Sequence, residues 1–275
     1  MPAKGAPIAR VRVAEEPDHE ASQDRHAVLP GAVLVLDGAS TPERTTRHGG
    51  WYAERLCQAI AQRLDRPTYL PGLLAEAIAH TATRYGLRPR HSPSSTVAML
   101  RWNPRTVEAL VLGDSAIAVV LDSGQVENLT DNRLDHIAAE QRRTLRKDLR
   151  AGHGFNLRHD ETMRALVAEE RRRRNTEHGY WIAEADPRAA WHAINRQWPT
   201  GFVRHVLIAT DGITGAIGIS PDLPNWLAVV DLAHRSGPAG VVSAARAAEE
   251  ADPNGRHWPR SKPHDDKTLA VVTFR

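Results

Sequence analysis

The chain has almost no cysteine: Cys57 is the only thiol in 275 residues. A single cysteine cannot form an internal disulfide, so a small cross-linked secreted scaffold is excluded. Cys57 lies in WYAERLCQAI, an amphipathic helical pattern, where it reads as a small buried apolar residue rather than a nucleophile. No apolar run approaches the length of a membrane span. The opening MPAKGAPIARVRV has no signal-peptide core, so we expect a reducing, cytoplasmic setting without membrane association. Several chemical signatures are missing as well: the P-loop, the GxGxxG fingerprint, the HExxH metal pair, the GxSxG elbow and DxDxT. They exclude, in turn, the usual nucleotide cradles, a zincin site, an esterase nucleophile and an aspartyl-phosphate hydrolase. Neither sign of charge dominates: 36 Lys and Arg face 33 Asp and Glu, a formal net of +3. That is not the footprint of a dedicated nucleic-acid binder, and no nucleic-acid partner is expected.

What is present is an ordinary globular composition, 41% apolar and 25% charged. Residues 8–13 and 26–36 read as strands, residues 42–64 and 71–85 as helices. STVAMLRW and TVEALVLGDSAIAVVLDSG then form a strand meander, with turns at Asn103-Pro104, Gly113-Asp114 and Asp122-Ser123-Gly124. Residues 131–179 differ: polar, rich in Arg and Glu, helical in period and split by AGHGFN. They hold too few large apolar residues for a core of their own, so we expect a helical insert or flap on a single domain spanning 1–275. Its basic runs, RRTLRKDLR and RRRRN, read chiefly as solvated helix faces, with docking of an acidic or phosphorylated partner as the alternative. The core pattern resumes at GYWIAEAD and FVRHVLIATDGIT. Two helices are expected at 222–235 and 238–251, and DDKTLAVVTF closes the chain as a strand.

The informative residues are carboxylates at strand ends. Asp37 follows VLVL, Asp114 follows LVLG, Asp211 follows LIAT, Asp265 and Asp266 precede TLAVV, and Asp24 precedes the strand at 26–36. Any one of them alone is a common turn former. Together, each fused to an apolar strand, they suggest convergence at one sheet edge. Clustered carboxylates repel one another unless cations neutralise them. An oxygen-only set suits hard divalent ions such as Mg2+ or Mn2+. Gly38 allows close backbone approach, so its carbonyl is a further candidate ligand. Two such ions would activate a water and clamp a phosphoryl group.

In order, SQDR, VLVLDGAS, SSTVAML, LVLGDSAIAVV, LIATDGIT and HDDKTLAVV resemble the motif series of the metal-dependent serine/threonine phosphatases of the type 2C family. The resemblance, to a divergent bacterial-type member, runs from about residue 20 to the C-terminus and is weak over 131–200. It implies an α+β, four-layer α-β-β-α sandwich of two antiparallel sheets flanked by helices. It implies a two-ion Mn2+ or Mg2+ centre with a third, weaker ion. Asp37 would bridge the two ions, the Gly38 carbonyl would ligate one, and Asp211 and Asp265 the other. Asp114 would help hold the third ion, with Asp24 ligating or orienting a water nearby. Asp37, Asp211 and Asp265 would thus carry catalysis by a metal-activated water, on phosphoserine or phosphothreonine in a protein substrate.

Departures from the pattern are Gln23, Ala39, Ser40, Ala116, Asp266 in place of Asn, and His19 where the family often has a phosphate-holding Arg. Candidate phosphate binders are therefore His19, Arg25 and Arg44, with Arg47 and His48 behind them. His264 is a candidate general acid or supporting residue, or a plain loop histidine. Trp181 and Trp258 are candidates for cleft walls or, more simply, anchors. Two other readings stay open: a metal-binding regulatory pseudophosphatase, and a phosphatase acting on a phosphorylated small molecule or peptide intermediate.

Overall fold

A computed structural model of the chain describes residues 9–18, 20–39 and 47–275. Two five-stranded sheets stack face to face, and every described pairing of neighbours is antiparallel. The first sheet orders β1 (Arg10–Glu16), β10 (Lys267–Thr273), β9 (Val203–Ala209), β6 (Ala116–Leu121) and β7 (Val126–Leu129). The second orders β2 (Asp24–Leu29), β3 (Ala32–Asp37), β4 (Val97–Trp102), β5 (Thr106–Leu112) and β8 (Ile194–Pro199).

The VLVL run explains itself in this architecture. Val33 and Val35 point between the sheets and meet Leu100, Ile117, Ile208 and Ala270. Leu34 and Leu36 point the other way, onto Leu56 and Ile60 of α1 (Gly49–Ala61) and Leu73 and Leu74 of α2 (Leu70–Tyr85). A strand covered on both faces needs no polar alternation. Each such side chain contributes about 1.5–3 kcal/mol by leaving water. The opposite outer face repeats the plan: Leu207, Leu269 and Val271 pack against Ile213 of α5 (Asp211–Thr214) and Val229 and Val241 of α6 (Trp226–Ala251). The α-β-β-α order is as expected from the resemblance.

Several boundaries moved. The strand expected over 26–36 is a hairpin, because Pro30-Gly31 turns the chain back with Gly31 at φ 76° and Val28 opposite Val33. The helices expected at 222–235 and 238–251 form one bent element, kinked where Gly237 takes φ 74° and Pro238 lacks an amide proton. INRQWP forms β8, an edge strand that its polar composition hid. Helix α1 starts at Gly49; the part of that expected helix over 42–46 lies outside the described residues.

The polar segment folds into α3 (Ala139–Arg150) and α4 (Leu157–Arg173), split at AGHGFN as its composition suggested. Ala138, Leu145 and Leu166 form its small apolar cluster, and Arg142 pairs with Glu170 at 2.7 Å across the two helices. The loop after α6 clasps this hairpin. Arg260 lies over Phe155 at 5.3 Å, and the His159 ring meets the Ser261 carbonyl at 2.9 Å. Among the described residues no helix is long and apolar enough to cross a membrane.

Candidate active site

Asp37 ends β3 on a backbone held from all sides. Its carbonyl accepts from Thr96 N at 2.8 Å and Ser95 Oγ at 2.8 Å, and its amide donates to Thr96 Oγ1 at 3.1 Å. The next residue must be glycine, since a Cβ at Gly38 would run into the backbone of Gly49 and Gly50 at the start of α1. The Gly49-Gly50 pair therefore belongs to the same construction: three glycines let a helix terminus lie against the strand end.

Asp24 stands directly opposite Asp37 in the β2–β3 register. Thr210 Oγ1, at the end of β9, donates to its Oδ2 at 2.9 Å. Its Oδ1 is buried with no hydrogen-bond partner among the described residues. Asp211 opens α5, Asp114 follows Gly113 (φ 89°) in the β5–β6 turn, and Asp265 precedes β10. Because β6, β9 and β10 are neighbours and Ala116 and Leu269 both pair with Ala209, their ends arrive together. Asp37, Asp114, Asp211 and Asp265 line one cleft of about 320 Å3. Leu145 of α3 with Met163 and Leu166 of α4 form its other wall.

The electrostatics follow from burial and crowding. Burial pushes the Asp37 carboxyl well above the usual carboxylate range, and Asp211, Asp24 and Asp265 push it further. Burial, then Asp265 and Asp114, do the same to Asp211. Asp114 is raised by burial and Asp135, and Asp24 is pushed up to about 7, mainly by burial. Glu170, beside Arg142, is pushed up to about 7 by burial. A cation bonds the cluster directly: Lys262 Nζ donates to Asp265 Oδ1 at 2.6 Å. Burial would lower its pKa, yet Asp265, Asp37 and Asp211 overcome that and raise it. Among the described residues no three acidic, histidine or cysteine side chains are drawn together tightly enough to hold one ion. The donor chemistry nevertheless fits hard divalent cations: oxygens only, mutually repelling, with a buried Asp24 oxygen still unpartnered.

Arg25 is not a cleft residue. Its guanidinium donates to the carbonyls of Ser22 at 2.6 Å and Asp24 at 2.5 Å and pairs with Glu54 at 2.8 Å. His19 and Arg44, the other two phosphate-binding candidates, lie outside the described residues, as does Ser40. His264 turns away to Glu249 at 3.0 Å. Trp181 stacks on His192 with centroids 3.5 Å apart and Trp258 sits under Arg260, so neither lines the cleft. Cys57 is buried and its thiol is pushed up to about 12 by burial, as expected of an apolar filler.

Four residues escaped sequence reading: Lys262, Arg142, Glu170 and Glu249. Glu249, on α6, accepts from Lys267 Nζ at 2.8 Å and from Asp265 N at 3.3 Å, and so fixes the loop that carries Asp265. No motif marks it; its one signal is a charge four residues after Ala245, on the helix face that Val241, Val242 and Ala245 share. A larger hollow of about 900 Å3 opens at the opposite end of the second sheet, beside Leu29, Tyr69 and Trp102, far from the carboxylates.

Comparison with known proteins bears on the fold and the family. A family model described as protein phosphatase 2C matches residues 16–244. None of the curated proteins matches the chain. Among solved structures the chain is similar to Stp1 from Staphylococcus aureus at 13% identity and a TM-score of 0.56, covering 98% of this chain and 95% of that one. It is similar to the catalytic domain of PstP, solved with two manganese ions, at 12% identity, a TM-score of 0.55 and 98% of both chains. It is also similar to MsPP from Mycobacterium smegmatis, solved with cacodylate, at 19% identity and a TM-score of 0.51, covering 97% of this chain and 98% of that one. At such identities the structures speak for the fold, while the family match spans most of the chain: it belongs to the protein phosphatase 2C family, whose members are serine/threonine phosphatases and so phosphoric monoester hydrolases.

Proposed function

We propose that the chain is an active metal-dependent phosphatase hydrolysing phosphoserine and phosphothreonine in proteins. The observation that carries this reading is the meeting of Asp37, Asp114, Asp211 and Asp265, each half-buried, in one cleft. Asp37, the Gly38 carbonyl, Asp211 and Asp265 would hold two Mn2+ or Mg2+ ions, with Asp114 and Asp24 serving a third. The manganese ions of the PstP catalytic domain support that choice of metal. When bound, such ions acidify a water and offset the charge that develops on the phosphoryl group.

The protein's own residues would set up the rest. Thr210 fixes one oxygen of Asp24 and leaves the other to orient a water. Glu249 positions the Asp265 loop. Lys262 offsets part of the negative charge that the carboxylates impose on an incoming phosphate. The insert wall, with Arg142 and Arg146, narrows access and offers positive charge to the substrate. The pseudophosphatase reading draws on one observation, the occupation of Asp265 by Lys262.

The test is hydrolysis of p-nitrophenyl phosphate with Mn2+, with Mg2+ and with chelator. We expect metal-dependent turnover that falls by about 10^2-fold or more in Asp37→Ala and Asp211→Ala, the loss expected when charge stabilisation at the reacting centre is removed. Full activity in both variants, or turnover in chelator, overturns the assignment. Metal binding without turnover selects the pseudophosphatase, and a preference for phosphorylated metabolites over phosphopeptides selects the small-molecule alternative.

A further inference from the structure

Next to the carboxylate cleft lies a hollow of opposite charge. It measures about 460 Å3, and Arg47, Arg88, Arg90, His91, Arg171 and Arg174 line it. No carboxylate and no lysine lines it among the described residues. Guanidinium groups crowded round one space repel one another, so the arrangement needs tethers, and it has them. Arg47 donates to the Tyr85 carbonyl at 3.0 Å and lies over Trp51 at 5.4 Å. Arg174 is buried, donating to Ser94 Oγ at 3.0 Å and the Ser92 carbonyl at 3.1 Å, and its Nε has no partner among the described residues. Arg90 sits at φ 67°, a costly conformation for a residue with a Cβ, and its amide donates to Glu184 Oε2 at 2.9 Å. That one carboxylate also accepts from Ser92 Oγ and Asn175, and stands 3.4 Å from Arg174, so its charge is shared widely. Arg172 and Arg173, neighbours in sequence, turn instead to Glu169.

The hollow is joined to the cleft by short stretches of chain. Ser92 and Pro93 line the hollow while Thr96 lines the cleft. On α4, Glu170 faces the cleft while Arg171 and, one residue past the helix, Arg174 face the hollow. Four residues span at most about 13 Å when extended and about 6 Å along a helix, so these lining residues of the two spaces stand within about 6–13 Å of one another. An extended peptide covers that distance in about two to four residues. Arginine forks grip phosphate in two parallel bonds, which a set of five Arg and one His with no Lys among the described residues favours.

We propose that this hollow is a second anion site, binding a phosphate carried on the substrate chain two to four residues from the phosphoserine or phosphothreonine being hydrolysed. The enzyme would then prefer multiply phosphorylated segments. This rests on the phosphatase reading above, and the test separates the two.

Binding is measured by calorimetry on the full chain carrying Asp211→Asn, with peptides bearing one phosphoserine, two spaced by three residues, or two spaced by eight. Inorganic phosphate and a short single-stranded RNA serve as further probes. The three-residue spacing should bind at least tenfold tighter than the other peptides, and Arg88→Glu with Arg90→Glu should remove that advantage. The milder pair Arg88→Gln and Arg90→Gln, checked for an unchanged melting temperature, should remove most of it. In the active chain the same pairs should lower the ratio of kcat/KM for doubly over singly phosphorylated peptide by about tenfold, a ratio insensitive to general loss of activity. Equal binding of all peptides overturns the proposal, as does an effect of the Arg substitutions confined to RNA or to inorganic phosphate. If p-nitrophenyl phosphate is not hydrolysed but the spacing preference persists, the site stands and the phosphatase reading falls.

Discussion

Lys262 gives the residue scale its clearest prediction. Its ammonium sits on Asp265 and feels Asp37 and Asp211, so it competes with any divalent ion for the same oxygens. A tethered cation cannot diffuse away, and it adds repulsion to each ion that arrives. Lys262→Met should therefore tighten Mn2+ binding by about tenfold, about 1.4 kcal/mol, in calorimetry. Weaker binding would mean that Lys262 supports the metal site instead of contesting it. Glu184 offers the structural counterpart. It is 1% exposed and holds Arg90, Ser92, Arg174 and Asn175 together. Truncation to Ala leaves Arg174 buried without its countercharge, which costs about 3–5 kcal/mol in denaturant unfolding. A loss under 1 kcal/mol would show that solvent reaches this network.

At the scale of elements, the approach of α1 to β3 is the feature most exposed to a single atom. Gly38→Ala drives a methyl into the backbone of Gly49 and Gly50, atoms that no rotamer change can move. We expect a loss of about 3 kcal/mol or more in urea unfolding, together with loss of turnover, because the same step displaces Asp37. A folded, fully active Gly38→Ala protein would refute the close-packed account of the motif. This junction was half legible. The DG dipeptide and the apolar run announced a strand ending in a turn, whereas the reason for the glycine lay in a helix start eleven residues away. The α6 bend was legible in Gly237-Pro238, although its two halves remain one element. Strand β8 was not legible, since an edge strand shows polar residues to water.

For the whole molecule, the packing of α6 on the first sheet sets a pH dependence away from the catalytic cleft. His205, on β9, is buried against His234 and bonds Thr273 Oγ1 at 3.2 Å. Burial first, then His234 and Arg204, pull its imidazole down to about 4 from an ordinary 6.5. Between those values the unfolded chain takes a proton that the folded one refuses, so stability falls as pH drops from 6.5 to 4. His205→Gln should flatten that part of the profile in urea melts at pH 7, 5.5 and 4. An unchanged slope would assign the acid sensitivity to other groups.

The sequence by itself determined most of the strands and helices and the inventory of carboxylates. Apolar runs and turn dipeptides are local, and their order along the chain identified the family pattern. Tertiary structure alone decided which side chains share a space. Asp24 meets Asp37 through strand register, Asp114 and Asp211 meet because β6 and β9 pair, and Lys262 enters through a loop pinned by Glu249. Arg25, adjacent to Asp24 in sequence, faces Glu54 instead. The arginine hollow unites residues from positions 47 to 174 that no spacing rule connects. Pairing register and packing act across such separations, and a linear pattern carries neither.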